Sequence, residues 1–211
     1  MLCSSTAFAQ LHWDVGVHGG ASERILVGLA GAPASTALPG PTFGIQGHVA
    51  LIPFVRVGLY GSFEMSSIDK IQAPARQFYA FGAQGKVVSP WPRGDLRLFG
   101  TLGFGYVGAS APGYDTMIKP TPNMPQPARV DASGGGFAEI PFGIGASYRL
   151  RGPLVVYAEL LTRFGLGFWG TLYGEGGGRN VHNDIVGRQA ISPDGYDILS
   201  LGLVVGVGLD N

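Results

Sequence analysis

The chain has 211 residues, of which 13% are charged and 36 are glycine. Soluble domains usually carry about 25% charged residues and about 7% glycine, so a fully water-facing surface is disfavoured. The 14 basic and 14 acidic residues balance, which excludes nucleic acid as a partner because such binding depends on a basic surface. The longest apolar runs, such as 201–205, fall far short of the roughly 18 residues that a membrane-spanning helix needs.

The first nine residues resemble the end of a secretory signal peptide. Ala7-Phe8-Ala9 followed by Gln10 has the small-x-small pattern after which signal peptidase cuts. We therefore expect residues 1–9 to be a signal remnant cleaved between Ala9 and Gln10, and residues 10–211 to form one domain. The alternative is an ordinary unstructured N-terminus. Cleavage would also remove Cys3, so the mature chain would use neither disulfides nor thiol chemistry.

From Leu11 onwards, apolar and polar residues alternate in segments of about ten. Successive side chains of a strand point to opposite faces, so each segment predicts a strand with one apolar and one polar face. The first four predicted strands are 11–18, 43–51, 55–65 and 77–88. The second and third are joined by a tight turn at 52–54.

Four more strands follow in the second half of the chain. They are 96–107, 137–149, a strand after the turn at 150–153 that carries Tyr157, Glu159 and Arg163, and 198–209. The long links between strands are 19–42, 66–76, 108–136 and 165–196. Residues 111–132 contain five prolines, and we expect an extended, mobile segment there.

Strands of this kind with alternately short and long links are typical of one architecture. They predict an all-β fold, an eight-stranded antiparallel up-and-down transmembrane β-barrel with short periplasmic turns and four long extracellular loops. An even number of strands places both termini on the periplasmic side.

The polar faces of these strands carry charged side chains that would point into the barrel. Buried charges are costly unless they are paired, so we expect a structural network that plugs the lumen. Within it, Glu139 lies opposite Arg163, and the cations near the turns reach Asp14, Asp95 or solvent. The alternative is a polar path for small solutes, although wide aqueous channels need many more strands. The predicted lumen charge network is Asp14, Arg56, Glu64, Lys86, Arg97, Glu139, Arg149, Glu159 and Arg163.

The predicted mature chain resembles the small eight-stranded outer-membrane proteins of the OmpA transmembrane-domain and OmpX type. The resemblance rests on alternating strands such as 13–17 and 143–148 and on the last strand. It implies a place in the outer membrane of a Gram-negative cell envelope, contact with lipid and lipopolysaccharide, and a role in adhesion or envelope integrity. The long loops would then contact host, surface or envelope proteins. Such barrels usually finish with an aromatic residue, whereas this chain ends Gly208-Leu209-Asp210-Asn211.

Some small outer-membrane barrels modify lipid A, so a catalytic alternative must be weighed. The spacing of the candidate residues does not establish contact between a nucleophile and a base, and the histidine-x-serine pattern of the lipid A deacylase is missing. The run 103–108 spells a dinucleotide-binding fingerprint, but it lies inside a strand instead of between a strand and a helix. We expect no catalysis, no cofactor and no metal site. The candidates considered for catalysis are His12, Asp14, His48, His182, Asp184 and Ser192.

A soluble secreted barrel, such as a lipocalin-like carrier, is the rival from another class. It would turn every strand over, exposing Glu139 and Arg163 to water and burying aromatic residues such as Phe63 and Phe104. Its outer face would then consist largely of glycine and small residues, with too few charges for a soluble surface. The composition therefore favours the membrane barrel.

Overall fold

Eight long antiparallel strands form one closed ring in the computed structural model. The model describes residues 12–27, 35–36, 38–66, 75–90, 95–121, 124–130, 132–170, 172, 181–182 and 196–211. The ring strands are β1 Trp13–Val27, β2 Gly40–Ile52, β3 Val55–Ser66, β4 Arg76–Val88, β5 Leu96–Ala111, β6 Ser133–Arg151, β7 Leu154–Gly170 and β8 Tyr196–Asp210. Each strand pairs with its neighbours along the chain, and β8 pairs with β1. Closure removes unpaired strand edges, and the predicted fold class is confirmed.

Three short links define one end of the barrel, which we call the turn end. They are 53–54 between β2 and β3, 89–95 between β4 and β5, and 152–153 between β6 and β7. Gly152 has a φ of 59°, a backbone region that glycine occupies without the steric cost other residues incur. Asp14 pairs with Asp210, so β1 begins and β8 ends here too. The opposite end, with the long links, is the loop end.

The first strand is much longer than predicted. Residues 19–27 were expected in a loop but continue β1, and the two-residue strand Ser35–Thr36 pairs with them. The glycines and polar residues after His18 suggested a turn, which is why this prediction was wrong. Gly20 instead lies where β1 approaches β8 so closely that a Cβ atom would overlap the Leu203 carbonyl, a known use of glycine inside a strand.

The proline-rich link between β5 and β6 is extended, as predicted, but it is also paired, which the sequence did not predict. Strands Tyr114–Thr121 and Met124–Val130 form an antiparallel hairpin, and Val181–His182 pairs with the second of them. Proline cannot donate to a ladder, but alternate residues of a strand direct their backbone nitrogens to the same side. Pro125 and Pro127 are two residues apart, so their nitrogens, which carry no hydrogen, lie on the same edge of the strand.

Inward and outward faces differ sharply in chemistry. Outward side chains form an apolar belt in which Phe43, Phe81 and Leu102 are 55%, 63% and 61% exposed. The inward side chains include Arg24 and Glu64, each 1% exposed. Charge inside and hydrocarbon outside is the reverse of the soluble alternative. In the part of the chain that is described, no helix is long and apolar enough to cross a membrane.

The belt is as tall as a hydrocarbon layer requires. On β5 the outward apolar residues extend from Leu96 to Tyr106. From the first to the last of these eleven residues the strand rises in ten steps of about 3.3 Å, which at a tilt of about 40° span roughly 25 Å along the membrane normal. Because this equals the apolar band of outer-membrane barrels, the belt fits a lipid environment.

Substitution of belt residues by arginine tests this environment. Leu102→Arg, in the middle of the belt, should lower the free energy of unfolding in lipid vesicles by about 2–4 kcal/mol, whereas Leu96→Arg at its turn-end edge should cost about 0–1 kcal/mol. Urea titration of the vesicle-embedded protein measures both. Equal effects of the two variants would contradict a belt that lies in lipid.

Candidate functional site in the barrel lumen

Inward side chains of all eight strands lie in the lumen, and most of the buried ones are polar. Strand alternation places them there, and many of their polar groups bond to partners on other strands, although some atoms, such as Glu139 Oε2, have no partner among the described residues. The buried polar and charged residues are Asp14, Ser22, Arg24, Thr42, Gln46, His48, Arg56, Glu64, Ser66, Arg76, Gln84, Thr101, Glu139, Glu159, Arg163 and Ser200.

A charged cluster around Asp14 occupies the turn end of the lumen. The Asp14 carboxylate accepts from His48 Nδ1 at 2.7 Å and from Arg56 at 2.5 Å, and Lys86 Nζ lies 3.4 Å away. His48 Nε2 lies 2.8 Å from the Gln84 amide nitrogen, so it accepts there when Nδ1 carries the proton. Asp14 is thus a hub that joins β1 to β2, β3 and β4.

A second carboxylate at the turn end, Asp210, was missed at the sequence level. It accepts from Arg56 at 2.9 Å and lies 3.4 Å from both Arg97 and Arg149. Arg56 and Lys86 contact Asp14 as expected, whereas Arg97 and Arg149 contact Asp210, which was not among the predicted partners. The predicted last strand stopped at Leu209, and continuing its alternation by one residue would have placed Asp210 inward.

In the middle of the lumen, two glutamates each accept a hydrogen bond from a hydroxyl group. Tyr60 donates to Glu139 at 2.7 Å, and Thr101 donates to Glu159 at 2.6 Å. Glu139 is completely buried, and such a group depends on its hydrogen bonds because burial removes its hydration. His18 and Tyr157, at 3.2 Å, form a further link across the ring.

The strongest ion pair lies nearer the loop end and joins Arg24 to Glu64. Arg24 donates from Nε and from a terminal nitrogen to the two Glu64 oxygens, at 2.9 and 3.0 Å. This two-point geometry is the strong form of the arginine–carboxylate pair. The Arg24 guanidinium also lies 3.9 Å from the centre of the Phe78 ring, a cation–π contact. Arg24 was missed because its segment was expected in a loop.

The expected ion pair between Glu139 and Arg163 is not formed by these two described residues. In the β6–β7 ladder Arg163 lies opposite Pro141, and Glu139 lies opposite Gly165. Arg163 instead reaches Glu64 at 3.5 Å, across the ring. Folding two neighbouring strands about their turn could not reveal this, because the partner is on β3.

An apolar cluster lies on the loop-end side of these charges. Phe78, Val107 and Phe137 are at most 1% exposed and pack with Leu172 and the half-buried Phe168. The backbone of Leu172 donates to the Gly134 carbonyl at 3.1 Å, which holds Leu172 beside the start of β6. Aromatic side chains therefore pack together at the loop end of the lumen.

Of the six residues considered for catalysis, the structure describes the side chains of three, and each of these has a partner within the barrel. His12 bonds the Asn211 backbone oxygen at 3.0 Å, and Asp14 and His48 belong to the turn-end cluster. The His182 side chain, Asp184 and Ser192 lie outside the described residues, as do residues 1–9 and Gln10 with their predicted cleavage site. Across the described residues, no group of three or more histidine, cysteine, aspartate or glutamate side chains is placed to hold a metal ion.

The fold is similar to that of solved outer-membrane proteins. Neisserial surface protein A (NspA) matches with a TM-score of 0.57 and 11% sequence identity, over 93% of this chain and 96% of that chain. A major outer membrane protein from Thermus thermophilus matches with a TM-score of 0.54 and 14% identity, over 94% and 99%. No protein-family model matches this chain, and no curated protein sequence matches it.

The closed ring, the apolar belt and the charged interior together define the class. The chain is a small eight-stranded β-barrel of the bacterial outer membrane. Its architecture is OmpA- and OmpX-like, as the sequence predicted. The short turns are then periplasmic and the long links extracellular.

Loss of the Glu64 charge should reveal the strength of the Arg24–Glu64 ion pair. Glu64→Gln removes the buried carboxylate that Arg24 and Arg163 both contact, which should lower the free energy of unfolding by about 3–5 kcal/mol. The matched control is Glu23→Gln. Glu23 precedes Arg24 on β1 and lies on the outward face, so the expected change is within about 0.5 kcal/mol. Urea unfolding in vesicles provides the comparison, and a neutral Glu64→Gln variant would mean that the pair is not buried.

Proposed function

We propose that the protein is a closed outer-membrane barrel that acts through its structure and its extracellular surface, and not by transport or catalysis. The observation that supports this most directly is the combination of ion-paired side chains across the lumen with the apolar cluster at the loop end. Both arise from inward side chains of rigid strands. A ring of eight strands is just wide enough for its own side chains to fill.

The geometry disfavours a channel because, among the described residues, the cavities between the ion-paired side chains of the lumen are small. Two cavities beside Tyr157 and Tyr60 have volumes of about 20 Å³ each. A space of this size holds about one water molecule. Passage of a solute would require rearrangement of the Arg24–Glu64 pair together with the aromatic cluster around Phe78 and Phe137.

The loop end offers the surface through which such a barrel would act. β5 continues five residues beyond Tyr106, the last apolar belt residue on that strand, and β6 begins correspondingly early. The hairpin Tyr114–Val130 and the strand Val181–His182 add a separate three-stranded sheet beside them. A paired sheet on an extracellular loop can hold one shape for contact with host, surface or envelope proteins. The belt itself contacts outer-membrane lipid and lipopolysaccharide.

Export is part of the same proposal. Signal peptidase would cleave after Ala9, and the mature chain would begin at Gln10, shortly before β1 starts at Trp13. The barrel would then be residues 10–211, as a single domain.

A planar-bilayer recording tests the closed lumen. Purified, folded protein should give no reproducible discrete conductance, while a general porin inserted in the same bilayer gives its usual steps. Folding is verified beforehand by the heat-dependent gel mobility that compact membrane barrels show. Stable unitary openings from the folded protein would overturn the proposal in favour of a narrow channel.

A further inference from the structure

The periplasmic end of the barrel contains a cavity that the closed-barrel proposal does not use. It has a volume of about 300 Å³, at the lower limit of small-molecule sites, which are about 300–1,000 Å³. Three arginines on three strands face it: Arg56 on β3, Arg97 on β5 and Arg149 on β6. The other lining residues are His12, Pro53, Asp210 and Asn211. We call this space the arginine cavity.

The arginine cavity carries more positive than negative charge. The cations at this end are the three cavity arginines and Lys86, and their contacting carboxylates are Asp14 and Asp210. Among the described rim residues, Asp95 and Arg151 add one charge of each sign, which does not change the difference. The side chains therefore hold two more positive than negative charges, and a terminal carboxylate on Asn211, which lines the cavity, would lower this excess to one.

Hydrogen-bond donors are also in excess. Arg97 and Arg149 lie 3.4 Å from the same Asp210 oxygen, longer than the roughly 2.7–2.9 Å of a good charge-assisted bond. Their side chains are 34% and 37% exposed, so their remaining donors face the cavity. The Nε atom of Arg56, a residue only 5% exposed, has no partner among the described residues. Asp210 alone does not satisfy these groups.

We infer that the arginine cavity binds a small periplasmic oxyanion with about two negative charges, of the class of inorganic phosphate and phosphate monoesters. Guanidinium groups match phosphate oxygens in geometry, and a phosphate monoester carries about −1.5 to −2 charges near pH 7, so its binding offsets the excess positive charge. The anion takes the donors of Arg97 and Arg149, while Asp210 keeps its shorter bond to Arg56.

The position of the cavity favours a soluble ligand over a lipid headgroup. Its lining side chains come from inward faces of the ring, from the β2–β3 turn at Pro53, and from the residues just before β1 and just after β8, whereas the surrounding lipid contacts the outward faces. A headgroup at the membrane surface would have to leave its lipid layer and cross the strand ends. The ligand is therefore expected to arrive from the periplasm.

Titration of the full, folded chain in an uncharged maltoside detergent tests this inference. The probes are inorganic phosphate and glycerol 3-phosphate, with ionic strength held constant by chloride, and calorimetry or NMR shifts report binding. We expect saturable binding that the double variant Arg97→Gln/Arg149→Gln weakens at least tenfold. The matched control, Arg151→Gln, removes an arginine at the same end but outside the cavity lining, and its affinity should stay within twofold of the unaltered chain.

Further arms distinguish the outcomes. Heat-dependent gel mobility shows whether each variant is folded. If the double variant does not fold, the single variant Arg97→Gln is measured in its place. The phosphate affinity should be the same in nanodiscs of phosphatidylcholine and of phosphatidylglycerol. A response that does not saturate, or equal affinities of the cavity variant and the control, would overturn the site. Competition by phosphatidylglycerol would overturn the assignment to a soluble ligand.

Discussion

The width of the ring is the constraint on which the rest of the structure depends. A ring of eight strands is just wide enough for its own side chains to fill, so an inward charge away from the two ends depends on a partner inside the barrel. The Arg24–Glu64 pair, with 2.9 and 3.0 Å contacts and both side chains 1% exposed, meets this condition most completely. Breaking such a pair costs more than forming it gains, so the pair fixes how β1 and β3 face each other across the lumen.

The two ends of the barrel satisfy the same constraint in different ways. At the extracellular end, Phe78, Phe137 and Leu172 replace charges and pack together. At the periplasmic end, Asp14 and Asp210 are shared among more cations than they balance. The first end is apolar and the second keeps unsatisfied donors, so contact with macromolecules is proposed outside the cell and an anion site inside the envelope.

The sequence predicted the strands and their faces well because period-two alternation is a local signal. Partners in the lumen were predicted poorly, since they depend on the stagger of the strands around the ring. Glu64 and Arg163 lie on β3 and β7, which are not neighbours, and no hairpin argument joins them. The sequence missed Arg24 and the paired proline-rich hairpin for another reason. Glycine and proline commonly end a strand, whereas here they lie within strands.

The orientation of the two faces is the central claim, and fluorescence quenching by brominated lipids tests it most directly. In a background in which the three native tryptophans are phenylalanine, a single tryptophan is introduced on β5 by Phe104→Trp or by Phe99→Trp. Phe104 is 63% exposed on the outward face and Phe99 is 5% exposed on the inward face. In brominated vesicles the Phe104→Trp variant should be strongly quenched and the Phe99→Trp variant should not. Quenching of the inward variant instead would contradict a lipid-facing belt around a charged, filled lumen.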